Sequence, residues 1–344
     1  MPELKLYTVA DLREWLENNR PAEGLSERVI APTRAWAIIH NPYVKDEDAI
    51  VAAIFEDGEL AAYTASFPDM LDGKHVWWAS TLHCYPLYEG RGYGLVALGT
   101  LKEAHEPDLT YDRWGAKETV EIFNHFGYPT IYTKRYHYGV KKINTKILRG
   151  KLLYCVQALT KYFHPWPKLS QANYTLQYVS YFDGEAYAFL QVNRGKDLWV
   201  REQKMLNWML RYPFYQGSSL LNRVREDTLF TAYVIAYEYK VVKVFVKDVL
   251  QGVYLIRYSG SSLSIVYLYY AIECRDLVYT SIVDHIISAK PDSFVTEHED
   301  LFTYIRERLF FPSLWEEWIS LSLPCSEEFR KGFTLQLGDG DSFA

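Results

Sequence analysis

The alternation of apolar and polar positions changes period several times along this chain, and each change marks an element. Leu4–Thr8 reads as a short strand, and Asp11 stands where an acidic residue can cap the helix "LREWLENN". A second helix is predicted from Pro32 to about Asn41. The run "AIVAAIFEDGELAAYTASF" predicts two strands joined at Asp57-Gly58, a dipeptide suited to a tight hairpin turn. "HVWWASTLHCY" predicts a fourth strand, and "LVALGTLKEAH" places apolar residues at helical spacing. "LTYDRW" follows as a strand, "AKETVEIFNHF" as a helix ended by Gly127, and "PTIYTKRYHYGV" as a last strand. The first half therefore reads β-α-α-β-β-β-α-β-α-β.

Residues 141–172 break this order. They hold a helical stretch followed by Pro165 and Pro167, and read as a helical linker. Beyond it the plan repeats in worn form. "YTLQYVSYFDGEAYAFLQV" predicts a strand, an acidic cap and a helix, and "KVFVKDVLQGVYLIRYSGSSLSIVYLYYAIE" predicts three strands. "CRDLVYTSIVDHIISA" is a helix, and "DSFVTEHEDLFTYIRERLFF" a strand then a helix. Element order alone points to an internal duplication. The expected organisation is a domain over 1–140, a linker over 141–172, a degenerate second domain over 173–324 and a tail over 325–344. The fold class is α/β of the mixed α+β kind: two lobes, each a mostly antiparallel mixed sheet flanked by helices.

A length of 344 residues suits two domains, and a hydrophobic fraction of 49% supplies a large core. The net charge is −6 with Lys and Arg scattered, so there is no basic stripe and no nucleic-acid partner is expected. Cys84, Cys155, Cys274 and Cys325 lie far apart with no CxxC spacing, which predicts reduced thiols and no metal site. "MPELKLYTVADLREW" lacks the pattern of a signal peptide. The apolar stretch "VYLIRYSGSSLSIVYLYYAI" is broken by Arg257 and a Gly-Ser-Ser turn, and reads as two strands rather than a membrane span. A cytoplasmic chain without a membrane partner is the expectation; its oligomeric state is not legible. The 29 tyrosines fit half-buried strands, or else a tyrosine-lined groove.

One stretch carries chemistry: "CYPLYEGRGYGLVALGTL", Cys84 to Leu101, in which Gly90, Gly92 and Gly94 lie between a strand and a helix. Glycines let backbone N–H groups approach an anion, and a helix N-terminus adds positive potential. A tight turn uses the same residues, so both readings stand on this stretch alone. A Walker loop would end in Gly-Lys-Ser/Thr, which "GYGLVA" lacks, and the spacing is wrong for a dinucleotide fingerprint.

With its flanking elements, this stretch resembles the GNAT family of N-acetyltransferases. There the core strand runs into a pattern like V-x-P-x-(x)-(Q/R)-x-x-G-x-(G/A) and then a helix; here the residues run from Cys84 and Pro86 through Glu89 to Gly92 and Gly94. "VEIFNHFGYPTIY" is similar to the family's late helix, which ends in Gly-aromatic before the last strands. The resemblance covers residues 1 to about 140 and, in outline, about 173 to 324. It implies acetyl-CoA as co-substrate and direct transfer of acetyl to the amine of a small acceptor molecule. Arg91, Gly92, Tyr93 and Gly94 would hold the pyrophosphate through backbone amides, and the strand end at Leu82–Cys84 would hydrogen-bond the pantetheine arm. Three positions depart from the family pattern, one of them Ala116, which lies near the place of the Asn common earlier in the late helix. Glu89 replaces the usual Gln or Arg. Phe123 replaces the Tyr that often serves as acid, leaving Tyr128 and Tyr132 as nearby substitutes. The alternative to an enzyme is a non-catalytic binding or scaffold protein with a GNAT-derived fold; transfer of an amino acid or a longer acyl group is a third reading.

For catalysis, alternation puts Thr81, His83 and Tyr85 on one strand face, with His83 beside the expected thioester and titrating in the range a general base needs. His83 and Tyr128 are the catalytic candidates. Glu56 and Asp57 read as hairpin residues, Asp69 as a loop carboxylate near an acceptor site, His125 as a helix-terminal residue, and Lys134–Gly139 as a solvated edge strand. The second half has no glycine between Gly260 and its next helix, so it is not expected to bind CoA as the first half does.

Overall fold

In the computed structural model of the chain, residues 1–71, 73–113, 115, 117–139, 155, 166–211, 237–311, 313–322 and 333–339 are described. The first half has the predicted order: β1 (Glu3–Thr8), α1 (Val9–Asn18), α2 (Pro32–Ile39), β2 (Ala49–Glu56), β3 (Glu59–Leu71), β4 (Lys74–Cys84), α3 (Tyr93–Ala104), β5 (Leu109–Arg113), α4 (Lys117–His125) and β6 (Thr130–Gly139). The second half holds β7 (Thr175–Val179), α5 (Gly184–Val192), α6 (Gln203–Arg211), β8 (Tyr237–Val246), β9 (Val249–Ser259), β10 (Ser262–Tyr270), α7 (Arg275–Ala289), β11 (Ser293–Thr296), α8 (Glu299–Arg306) and β12 (Leu314–Ser322). Of these, α6 and β12 are not anticipated by the sequence pattern. The predicted linker at 141–154 and 156–165, and the tail at 325–332 and 340–344, lie outside the described residues.

The cap of α1 corrects one expectation. Thr8, not Asp11, is the N-cap; its hydroxyl accepts from the Asp11 N–H, and the Asp11 carboxylate accepts from the Thr8 N–H at 2.8 Å. The two residues form a reciprocal capping box, which satisfies two amides that helix geometry leaves open. Thr8→Ala is expected to cost about 1 kcal/mol, read as a lowered urea midpoint at unchanged slope.

The strands form one 12-stranded sheet in the order β1-β2-β3-β4-β5-β12-β6-β11-β10-β9-β8-β7. Most neighbours are antiparallel; β4–β5 and β10–β11 are parallel. At the centre the halves interleave. β5 pairs with β12 of the second half, while β6 lies between β12 and β11. The expected edge strand at Lys134–Gly139 is therefore central. Its Arg135 is buried and donates to Glu297 Oε1 at 2.9 Å, and Arg113 closes on the same carboxylate.

Helices cover both faces. α1, α2, α5 and α6 share one core, in which Leu12, Ile38, Leu190 and Leu206 pack with Phe67 and Trp78. On the opposite face α7 and α8 bury Ile282 and Leu301 against Tyr138 and Phe294, and α3 lays Ala97 and Leu101 on β2 and β3. Asp69 is not a loop carboxylate. It is fully buried in β3, where it accepts from Arg201 Nε–H at 2.7 Å and Trp78 Nε1–H at 3.0 Å. Arg201 also donates to Tyr267 Oη at 2.9 Å and to the Gly338 carbonyl, so residues 333–339 of the predicted tail are tied into the core.

Candidate functional site

β4 and β5 pair from Val76↔Leu109 to Ala79↔Asp112, and there the pairing ends, although β4 continues to Cys84. On its other edge β4 stays paired to β3, with Ser66 opposite Ala79 and Ala65 opposite Thr81. Ser80 is thus an extra residue, a bulge that turns β4 away from β5. The last residues of β4 consequently offer main-chain groups toward an opening in the sheet. The Ser80 hydroxyl oxygen is buried there without a hydrogen-bond partner among the described residues.

From this opening the chain enters a short turn of 3-10 helix, Pro86–Tyr88, and then α3. Gly90 and Gly92 have φ +77° and +76°, and a Cβ on either would meet nothing within 4 Å. The two glycines therefore serve the backbone path. Gly92 is the N-cap, and no side chain caps α3. The first amides of the helix have no intrahelical acceptor. The Arg91 N–H, by contrast, donates to the Tyr88 carbonyl at 3.3 Å, and the Arg91 guanidinium closes on Glu56 rather than on Glu89. Of the four predicted phosphate-binding positions, Gly92, Tyr93 and Gly94 keep the helix-start geometry, while Arg91 holds the loop to the β2–β3 hairpin. Glu56, read from the sequence as a plain hairpin residue, is its anchor; adjacency of the two turns in space has no local sequence signal. Gly94 lies against Leu82, where a Cβ would sit 3.5 Å from Leu82 Cδ1, so α3 packs closely on β4.

The two faces of β4 differ. Leu82 joins Ala79, Leu98, Phe123 and Tyr128 on the α3 side. Phe123 is fully buried, and Tyr128 packs edge-on against it at 5.7 Å between centroids. Thr81 and His83 face α2: Arg34 of α2 donates to the Thr81 hydroxyl, and the His83 ring lies 5.5 Å from Tyr63 and 4.7 Å from Tyr85. Arg28 sits over the Tyr85 ring at 5.4 Å. Burial lowers the His83 pKa, with Glu89 opposing weakly, so the imidazole is neutral near pH 7. Burial and Glu89 both push the Cys84 thiol up, which disfavours the thiolate and with it a cysteine nucleophile. His125 lies exposed at the end of α4, away from this cluster.

The second half repeats the parting of strands. β10 and β11 pair from Ser262↔Ser293 to Ser264↔Val295; β10 then continues to Tyr270 still paired with β9, while its β11-facing edge meets the C-terminal segment, the Gly338 N–H donating to the Val266 carbonyl at 3.0 Å. The turn that follows, Ile272–Cys274, has no glycine and leads into α7.

This architecture has counterparts among solved structures. A conserved protein of Enterococcus faecalis V583 superposes with a TM-score of 0.52 at 13% identity, covering 94% of this chain and 73% of that one. A GCN5-related N-acetyltransferase from Kribbella flavida gives 0.51 at 13% identity, over 94% and 72%. The N-myristoyltransferase of Saccharomyces cerevisiae, solved with bound myristoyl-CoA, gives 0.53 at 12% identity, over 94% and 82%. The chain has the GNAT fold. No protein-family model matches the sequence, and no curated protein does. In the GNAT fold seen here the glycine turn, the uncapped α3 and the opening between β4 and β5 converge on one end of the sheet. No group of three His, Cys, Asp or Glu side chains among the described residues could hold a metal ion, and no described helix is long and apolar enough to cross a membrane.

Proposed function

We propose that the chain is an acyl-CoA-dependent N-acyltransferase that moves an acetyl group from acetyl-CoA directly to the amine of a small acceptor, with residues 1–140 binding the co-substrate and residues 173–324 closing the acceptor side. The observation that carries this reading is the start of α3. No side chain caps its amides, they follow two left-handed glycines with open space above them, and they stand beside the end of β4, whose β5-facing edge has no strand partner there among the described residues. That cradle fits a diphosphate, and the strand edge fits an amide-bearing arm.

Bound acetyl-CoA would supply an acyl group activated as a thioester. Gly92, Tyr93 and Gly94 bind the diphosphate through main-chain N–H groups, and Leu82 and Cys84 hold the arm in strand fashion. The imidazole of His83, kept neutral by burial and so free to accept, takes the proton from the acceptor ammonium. Tyr128, on the α3 face of β4 opposite to His83, would protonate the CoA thiolate released when the amine nitrogen bonds to the acetyl carbon and the carbon–sulfur bond breaks.

Thermal melting with CoA and acetyl-CoA tests the binding step. Saturating ligand is expected to raise Tm by about 3–6 °C, and Gly92→Val, which forces a β-branched side chain onto φ +76°, is expected to abolish the rise. A folded wild-type chain with no shift overturns the proposal. One observation favours a second reading: the buried Phe123 stands where the resemblance places an acid, so a protein that binds CoA without turnover is the alternative. Release of free CoA thiol across a panel of amines separates the two.

A further inference from the structure

A second cleft, of about 810 Å³, opens where β10 parts from β11. Its volume falls within the range of small-molecule sites. At its neck three polar side chains from distant segments are joined. Gln336 Nε2 donates to both oxygens of Asp197 at 3.1 and 3.0 Å, and the Gln336 carbonyl oxygen meets His298 Nε2 at 2.7 Å. That bond fixes a proton on His298 Nε2. The mouth is aromatic: Tyr132 is 57% exposed, and Tyr270 stands edge-on to Tyr279 at 5.4 Å.

The charges of the lining do not cancel. Glu297 is taken by Arg113 and Arg135, and Lys134 by Glu316 at 2.8 Å. The lining further holds four carboxylates, Asp197, Glu273, Glu299 and Asp300, to two cations, Arg194 and Lys196; Arg194 acts on Asp197, and Glu299 meets Tyr136. Lys134 Nζ already rests 5.2 Å from the Trp318 ring centre at the rim, so the aromatic surface there accommodates a cation. A diphosphate is disfavoured by these carboxylates and by the missing glycines.

We propose that this cleft is a second ligand site, for an organic ammonium cation, with Asp197 as its anionic anchor and Tyr132 and Tyr270 as its aromatic walls. The cleft shares no lining residue with the α3 cradle and does not depend on acyl transfer. Asp197 is surrounded by Asp339 and Gln336 of the C-terminal segment, Tyr269 of β10 and Arg194 of its own loop, with His298 of the α8 N-terminus reached through Gln336. Burial and the Asp339 carboxylate push its carboxyl up to about 7. A cation must bind the ionised form, so affinity rises with pH through that value.

Calorimetry on the whole chain with choline, which offers no N–H to acylate, tests the site without acyl-CoA. Choline is expected to bind about tenfold more tightly at pH 8 than at pH 6. Its neutral isostere 3,3-dimethylbutan-1-ol is expected not to bind. Asp197→Asn should abolish choline binding, and Glu273→Gln, at an exposed position, should weaken it several-fold with the circular dichroism spectrum unchanged. Absence of choline binding at pH 8, equal binding of the neutral isostere, or undiminished binding by a folded Asp197→Asn chain would each overturn the proposal, whatever the outcome with CoA.

Discussion

Arg201→Leu is expected to destabilise the chain by about 3–5 kcal/mol in urea unfolding. The side chains of Arg201 and Asp69 are 2% and 0% exposed, and they meet 132 residues apart in sequence. Removing the guanidinium leaves the Asp69 carboxylate in the core with the Trp78 indole and a neighbouring amide as its hydrogen-bond donors. It also strips the Tyr267 hydroxyl and the Gly338 carbonyl of a charged partner. The loss is large because it uncovers a buried charge, more than because it removes an attraction. Asp69→Asn in the Arg201→Leu background removes that charge and keeps an acceptor for Trp78. It is expected to restore about 2 kcal/mol. If the two costs simply add, the buried-charge account fails.

Asp197→Asn is expected to stabilise the chain at pH 8 and to have little effect near pH 4. The Asp197 carboxyl, ordinarily at 3.8, is pushed up to about 7 by burial and by Asp339. The folded state therefore favours the protonated acid. Above pH 3.8 the unfolded chain releases this proton and the folded chain keeps it, so stability falls as pH rises and the full penalty is reached above pH 7. For a shift of this size the penalty is about 4 kcal/mol. Asp339, held at about 6, works in the same direction. Urea midpoints of wild type and variant between pH 5 and 8.5 should diverge with rising pH; parallel curves would refute the assignment.

Much of the architecture was written locally. The Asp57-Gly58 turn, the Asp183 cap of α5 and the apolar runs of β2–β4 and β8–β10 each follow from short-range propensity, and they lie where the pattern places them. The glycine turn was legible because a strand, a 3-10 turn and a helix start are consecutive in sequence. What was not legible depends on partners far away. Lys134, Arg135 and His137 make β6 look like a solvated edge, yet Arg135 is neutralised by Glu297, 162 residues on, and His137 meets Glu317 at 3.1 Å. Asp69 looked like a loop carboxylate for the same reason. In "LWEEWISLS" paired glutamates interrupt the alternation, so β12 gives no clean period of two. Arg91 was expected to offer its amide, but a turn bond takes it, which depends on backbone path rather than on residue type.

The crossing of β6 and β12 at the middle of the sheet means that neither half owns the strand that completes it. A polypeptide stopping after residue 140 would leave the five-residue β5 as a bare edge and β6 without either of its neighbours. Such a fragment invites edge-to-edge aggregation. If the two halves descend from one ancestral unit, that unit must have closed its own sheet or paired with a twin, and the fusion made divorce impossible.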